Sequence, residues 1–537
     1  MTQLHGALGK ALILTVNERL KKVDYRLLES PFLLRNETDG AWRCEFWGKI
    51  VRSAVLAAFY TGDKELENIV RQTVQNILAT QTADGCISSY PAEKQLSGWD
   101  IWGRKYVLLA LLRYYEVLDR DPAILQSCCR MVDHLAGQLG NEPGKKHILE
   151  CGFHDGLASS SILGAIVALW RLSQQDKYRK LAEYIWQSGG SGLGNVAECV
   201  LTGIAPSALG NSKAYELTSF FQGAAEWEML ESDPRRRAAV LDYYQAVLER
   251  EIFITGTGGL KDEWGEYWYD GALRQTRSDC GSLGETCIST TWVHYAADIL
   301  ELTDDCRVAD ELEKTLYNAV LGAMHPSGHR WVHANPTPLT GGGWKRCADD
   351  QIGRGFGTPF GNNDCCLAQG PEALAMAPKL AVIRRDGRVT LNFFEPLTSG
   401  NLQVGGNYPY DEKVLIRFTQ AEETTLRIRT PEFLKSIRMN GKSQDFTCGV
   451  YWSMQRQWSP DDCIELEFDF ALREIPAPGN SNFVAVRRGP LVLAEDSRPD
   501  VPEARVQIRW RNKTLCEYAS AGNLMNKENS LRVWFEQ

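Results

Sequence analysis

The strongest constraint in this sequence is a short acidic turn that keeps returning between apolar helical segments. From about Glu45 to Leu321 the apolar residues recur at helical spacing, and the breaks fall at Asp63 in YTGDKEL, Asp121 in VLDRDPAI, Asp176 in LSQQDKY, Asp233 in MLESDPRR and Asp305 in ELTDDCR. The intervals are 58, 55, 57 and 72 residues. A period of two helices and two connections is one helical hairpin per repeat, and such a unit buries its apolar face only by packing on its neighbours. The five turns predict five hairpins. A sixth inner helix is available in GPEALAMAPKLAVI, Gly370 to Ile383. Its outer partner is expected at the N terminus, where Thr15 and Glu18 form a capping-box signature ahead of a helix running towards Leu28. Closing that set gives a ring, an (α/α)6 barrel.

After about Asp386 the pattern changes to alternation, in RVTLNFF, VLIRF, TLRIR, IELEFDF, FVAV and ARVQIRW, with Asn440-Gly441 as a hairpin turn. The fold class is therefore mainly α with a β domain. Residues 1–385 are expected to form the (α/α)6 barrel, with the first residues free to add to the sandwich, and residues 386–537 a β-sandwich. The final SLRVWFEQ supplies one more strand or crosses back to the barrel. With 537 residues, more than one core is expected in any case.

A net charge of −9 argues against a nucleic-acid surface, which needs clustered Lys and Arg, and favours a small neutral or modestly charged ligand. Lys10 precedes a short apolar stretch, Ala11 to Leu14, that Thr15 and Asn17 end before a signal core is complete, and no run is long enough to span a bilayer. A cytoplasmic protein without membrane contact is the expectation, and a homodimer is compatible with it. In that reducing setting fifteen cysteines are better explained as buried thiols and metal ligands than as disulfides.

Two cysteine pairs invite comparison. Cys128-Cys129 sits in the helical AILQSCCRMVDHL with no carboxylate or glycine loop beside it, so burial as small apolar side chains is expected. Cys365-Cys366 lies in FGTPFGNNDCCLAQG, where glycines, Pro359 and two asparagines free the backbone to aim both thiols at one point. With Glu285 and Cys287 of GETC they offer three thiolates and one carboxylate, donor types that zinc accepts. The alternative is four unrelated residues, two of them merely buried.

The extra length of the last interval is an insertion, Thr255 to Gly281, in which Glu263, Glu266, Asp270 and Asp279 crowd a loop with Trp264, Tyr267 and Trp268. Aromatics beside acids suit sugar rings, whose apolar faces stack while a leaving oxygen needs a proton. His325, His329 and His333 recur every fourth residue, but Pro326 and Gly328 forbid a helix there, and a surface or core role is expected rather than a metal site. His154 in CGFHDG, ahead of the third inner helix, is placed at the mouth of the ring as a substrate contact.

These motifs resemble the β-L-arabinofuranosidase family, glycoside hydrolase family 127, over nearly the whole chain. The similarity runs through EFWGK, TQTADGCISSY, WDIWGRKY, SSSILGAIVALWRL, TGGL, GETC, LYNAVLGAM, the Asp364-Cys365-Cys366 triplet and VAVRRGPLVLA. It implies a retaining exo-glycosidase in which Glu285, Cys287, Cys365 and Cys366 bind Zn2+, Cys365 is the nucleophile and Glu266 the general acid/base. Cys365 then takes the place usually held by the second carboxylate of a retaining glycosidase, and its bond to the metal must loosen during attack. The substrate is a small carbohydrate, L-arabinofuranose by default, with another L-configured or an acidic pectin-type sugar as alternatives. Where the family carries two sugar-contacting histidines, this chain reads Trp99-Asp100 and Ser159-Ser160, which are taken with Glu45 and His154 as its substrate contacts. Relatives with a further C-terminal β domain run longer than this chain is expected to. Two other classes stay open: a uronide hydrolase or sugar epimerase on the same ring, and a non-catalytic sugar-binding protein with a structural zinc.

Overall fold

The computed structural model describes residues 1–37, 44–260, 265–277, 283–337, 365–524 and 529–537. Most of the acidic turns have a local physical role. Asp63, Asp121, Asp233 and Asp305 are the N-caps of the outer helices Lys64–Leu78, Pro122–Gln138, Pro234–Arg250 and Cys306–Thr315, each accepting a backbone N–H of the first turn. Asp176 instead occupies the first turn of Asp176–Gln187, where it pairs with Arg179 at 2.8 Å.

Inner and outer helices differ in burial. On Lys64–Leu78 only the stripe Leu66, Val70, Thr73, Val74 and Ile77 is buried, whereas every residue from Cys44 to Ala58 of the inner helix Cys44–Thr61 is. Among the described residues the inner helices pack in the order Cys44–Thr61, Asp100–Val117, Leu163–Ser173, Ala214–Leu230, Thr286–Thr303 and Cys365–Ala381, and the last packs back on the first. That closed ring is the (α/α)6 barrel. Its axis is crossed within the first two turns of the inner helices, where Tyr106 and Tyr215 share a hydroxyl contact and Tyr215 donates to Gln369 Oε1 at 2.5 Å.

The sixth pair differs from expectation. The N-terminal helix begins at Ala7, runs to Thr15 and passes through one π-helical turn, Val16–Leu20, before Asp24 caps Tyr25–Leu34. Thr15 caps nothing; its hydroxyl donates to Met324 Sδ at 3.2 Å. The true cap comes from the other domain: buried Glu395 accepts Leu8 N–H at 2.9 Å and Gly9 N–H at 3.1 Å, and Tyr317 donates to it at 3.1 Å.

The sandwich packs a seven-stranded sheet, which the first residues extend through Thr2 opposite Ser399, on a four-stranded sheet running from Trp452–Trp458 to Val382–Arg385. Met439 and Lys442 pair around the Asn440-Gly441 turn, both turn residues lying at positive φ. From Leu472–Ala477 onward the strands form a separate sheet with its own core around Trp534 and Tyr518, and both strands of the final segment, Leu531–Arg532 and Phe535–Glu536, belong to it. The sandwich is tied to the barrel by buried Arg429, which pairs with Glu313 at 2.7 Å.

Burial pushes Glu395 up from 4.5 to about 7 against its hydrogen bonds. The folded protein thus holds a proton there that the unfolded chain has released, and this contribution to stability is lost as pH rises through about 7. The stability difference between wild type and Glu395→Gln, followed by denaturant unfolding from about pH 5 to about pH 8, should shift against the wild type as pH rises; a pH-independent difference would refute the coupling.

Candidate functional site

Two neighbouring inner helices begin with the four expected donors. Glu285 ends the strand Leu283–Glu285 and immediately precedes Thr286–Thr303, whose first turn carries Cys287; Cys365 and Cys366 open Cys365–Ala381. Cys366 Sγ lies 3.3 Å from Cys287 Sγ and 3.4 Å from Glu285 Oε1, while Cys365 Sγ lies 3.8 Å from Cys366 Sγ and 3.9 Å from Glu285 Oε1. All four donor atoms fall within 4.8 Å of one another. A tetrahedral ion with bonds of about 2.3 Å to sulfur and 2.1 Å to oxygen needs edges of about 3.8 Å and 3.6 Å, so the group can hold one such ion. Burial drives Glu285 and Cys366 well above their ordinary pKa values, a cost that a divalent cation would remove. Burial also pushes Cys287 up, but hydrogen bonds with the other two cysteines and the Lys49 ammonium outweigh it and leave this thiol below an ordinary cysteine. Cys365 is the partly exposed member, at the mouth of the ring.

Glu266 is brought to the same place by backbone pairing. The insertion folds onto the start of Ala214–Leu230, with Ala214 N–H donating to Glu266 O at 3.0 Å and Trp268 N–H to Ser212 O at 2.9 Å. At Gly265 a Cβ would stand 2.9 Å from Glu285 N and 2.8 Å from Leu283 O, so the chain passes over the Glu285 strand only because this residue is glycine. Downstream, the buried Glu251 carboxylate takes the N–H groups of Tyr269, Asp270 and Gly271 and anchors the loop. The Glu266 carboxylate pairs with Lys213 Nζ and lies 3.6 Å from His333 Nε2.

The remaining predicted residues divide. His154, at positive φ, sits between Trp99 and Tyr267, with ring centroids 5.5 and 6.5 Å away, and 4.0 Å from Glu216. Ser159 and Ser160 are buried in the short helix Leu157–Ser160. Glu45 is buried and accepts from the Trp102 indole; burial raises it to about 8. Asp100, expected as a substrate contact, is buried, accepts from Leu96 N–H at 2.8 Å and pairs with Arg104 at 2.9 Å, bracing the hairpin. In the insertion, Asp270 pairs with Arg250 at 2.7 Å and Trp268 is buried against Tyr243. Cys128 is buried in an outer helix. Glu263, Trp264, Asp279 and Asp364 lie outside the described residues.

A sequence model of the β-L-arabinofuranosidase, GH127 catalytic domain, matches residues 12–379, and one of the GH127 middle domain matches residues 396–470. The chain belongs to family GH127. This GH127 glycoside hydrolase is 21% identical over 505 residues to a non-reducing end β-L-arabinofuranosidase of Bifidobacterium longum, covering 83% of this chain and 74% of that protein. Its fold matches a GH127 β-L-arabinofuranosidase from Geobacillus stearothermophilus with a TM-score of 0.76 at 18% identity over the whole of both chains. A second GH127 β-arabinofuranosidase superposes at 0.78 and 16% identity over 100% of this chain and 96% of that one. No described helix is long and apolar enough to cross a membrane.

Two residues beside the four donors are not among those that the sequence assigns to the site. His333, expected to stay apart from any metal site, is buried and shares a second group with Glu266 and Glu285, their donor atoms within 4.8 Å of one another. It arrives because Glu285 pairs with Ala334 across two short strands. Lys49, fully buried, places Nζ 3.5 Å from Glu45 Oε1 and 3.6 Å from Cys287 Sγ, over the rings of Tyr106 and Tyr215. It supplies the positive charge behind the sulfurs. Replacing it by Lys49→Met should weaken retention of a divalent ion by about 10- to 100-fold in competition with a chelator, the usual cost of losing an outer hydrogen bond to a ligand; unchanged retention would deny it this role.

Proposed function

We propose that this chain is a retaining, exo-acting glycosidase that releases an L-arabinofuranose-like sugar, with Cys365 as nucleophile, Glu266 as acid/base and zinc held by Glu285, Cys287, Cys365 and Cys366. The observation that carries the reading is the convergence of three sulfurs and one carboxylate on a point that only Cys365 exposes to the mouth, with Glu266 beside Glu285. The described residues fit zinc in donor type and spacing. When bound, the ion keeps the sulfurs deprotonated at neutral pH.

The chain's own groups then divide the work. Cys365 Sγ attacks the anomeric carbon as Glu266 gives its proton to the departing oxygen, so a C–S bond forms while the glycosidic C–O bond breaks. Glu266, now a carboxylate, takes a proton from the water that attacks the same carbon, and the sulfur leaves with the bonding pair. Two displacements give net retention. Lys213 and His333 hold Glu266 in place from both sides. The Tyr106, Tyr215 and Gln369 plug beneath the mouth makes the site a pocket, which suits removal of a terminal sugar. The name of the B. longum relative supports arabinofuranose as that sugar.

Cys365→Ala should lower turnover of 4-nitrophenyl β-L-arabinofuranoside by more than about 1000-fold while the fold persists, and Glu285→Ala should lose a metal that the wild type carries at one per chain. Hydrolysis by Cys365→Ala within about 10-fold of wild type would reject the thiolate mechanism.

A further inference from the structure

We propose that Glu216 is the specificity-determining residue of this pocket and that, with Ser160, it selects a neutral, hydroxyl-bearing glycone over an acidic one; this rests on the glycosidase reading above. Glu216 stands in the first turn of Ala214–Leu230, three residues from Lys213, and is 1% exposed. Its Oε1 lies 4.0 Å from His154 Nε2, beyond hydrogen-bond reach, and its Oε2 is buried with no hydrogen-bond partner among the described residues. Ser160 Oγ is in the same condition: the residue is fully buried, and the short helix that carries it packs on Ala214–Leu230. The adjacent Ser161 hydroxyl is already committed, accepting from Lys105 Nζ at 3.1 Å and donating to Ala158 O at 2.6 Å.

A buried carboxylate oxygen without a donor is costly, and a ligand hydroxyl that reaches it supplies the missing hydrogen bond. The charge of the surroundings decides what that ligand is. Lys213 pairs with Glu266 and also faces Glu216, buried Lys105 faces Glu216 while donating to Ser161 Oγ, and Lys49 is taken by Glu45 and Cys287. Among the described residues, an incoming carboxylate would therefore meet Glu216, Glu266 and Glu285 where each lysine already faces a protein carboxylate, and like charges repel. A sugar hydroxyl can donate to Glu216 Oε2 and exchange a hydrogen bond with Ser160 Oγ, while its ring face lies along the wall of Trp99, His154 and Tyr267.

The test uses the full chain carrying Cys365→Ala, so that binding is read without chemistry. Calorimetry measures Kd for 4-nitrophenyl β-L-arabinofuranoside and for the same glycoside oxidised to a carboxylate at C5. Adding Glu216→Gln should raise Kd for the neutral glycoside by about 10- to 100-fold, the range for a lost hydrogen bond to a charged group, and Ser160→Ala should raise it by about 3- to 10-fold, with metal content unchanged in both. The carboxylate should bind the Glu216 form at least about 10-fold more weakly than the neutral glycoside, and Glu216→Gln should narrow that gap. Neutral-glycoside affinity within about twofold in Glu216→Gln, equal affinity for the two glycosides, or binding of neither would overturn the proposal. Failure of the thiolate mechanism would register separately, as hydrolysis by Cys365→Ala.

Discussion

The 3.3 Å approach of Cys366 Sγ to Cys287 Sγ is the contact on which the rest of the site depends. The two cysteines are far apart in the chain and meet because Thr286–Thr303 and Cys365–Ala381 are adjacent members of a closed ring. Both lie in first helical turns, where unpaired N–H groups and the helix dipole favour negative charge. The scaffold therefore aims two helix N-termini at one spot and loads that spot with thiols. Glu285 completes the set from the strand that leads into one of those helices, and Glu266 follows because its loop crosses that strand at Gly265.

Concentrating so much acid in a buried place requires compensation, and it arrives in layers. Lys49 stands behind Cys287, Lys213 pairs with Glu266, and the Trp102 indole hydrogen-bonds Glu45. Beneath the tyrosine plug the same balance is struck without sulfur: Glu372 is held by Arg52 at 3.1 Å and His294 at 3.0 Å, and these partners, Arg52 foremost, overcome burial to bring it down to about 2. The lower cavity, about 860 Å³ between the C-terminal ends of the inner helices and the sandwich edge, is lined by the pairs Arg171 with Glu116 and Arg385 with Glu301, and by Asp298, whose Oδ2 is buried without a hydrogen-bond partner among the described residues.

What could be read from the sequence follows the range of the interactions involved. The hairpin repeat was legible because an aspartate N-cap acts on a backbone N–H two or three residues away. The cysteine and glutamate donors were legible because thiols beside glycine-rich turns are unusual. The N-terminal helix was misjudged because the group that caps it, Glu395, comes from nearly 390 positions away. His333 was set aside for a similar reason: its turn pointed to a surface or core role, and His325 and His329 do form a small cluster with Ser327 there, but a three-residue pairing beyond Trp331 carries His333 to Glu285. Lys49 lay in plain view in EFWGK, yet nothing local marks a lysine that will be buried against a distant sulfur.

Asp100 and Trp99 illustrate how little separates a brace from a ligand. They are neighbours at the start of one inner helix, and consecutive helical residues point about 100° apart. Trp99 therefore faces His154 and Phe153 at the mouth, with Phe153 43% exposed, while Asp100 faces Arg104 and the outer layer. The Asp100–Arg104 pair is one helical turn long and nearly sealed from solvent, so it fixes the start of the helix and with it the angle of the Trp99 ring. The acid at this position braces the start of the helix, and the ring beside it stands against His154 and Phe153.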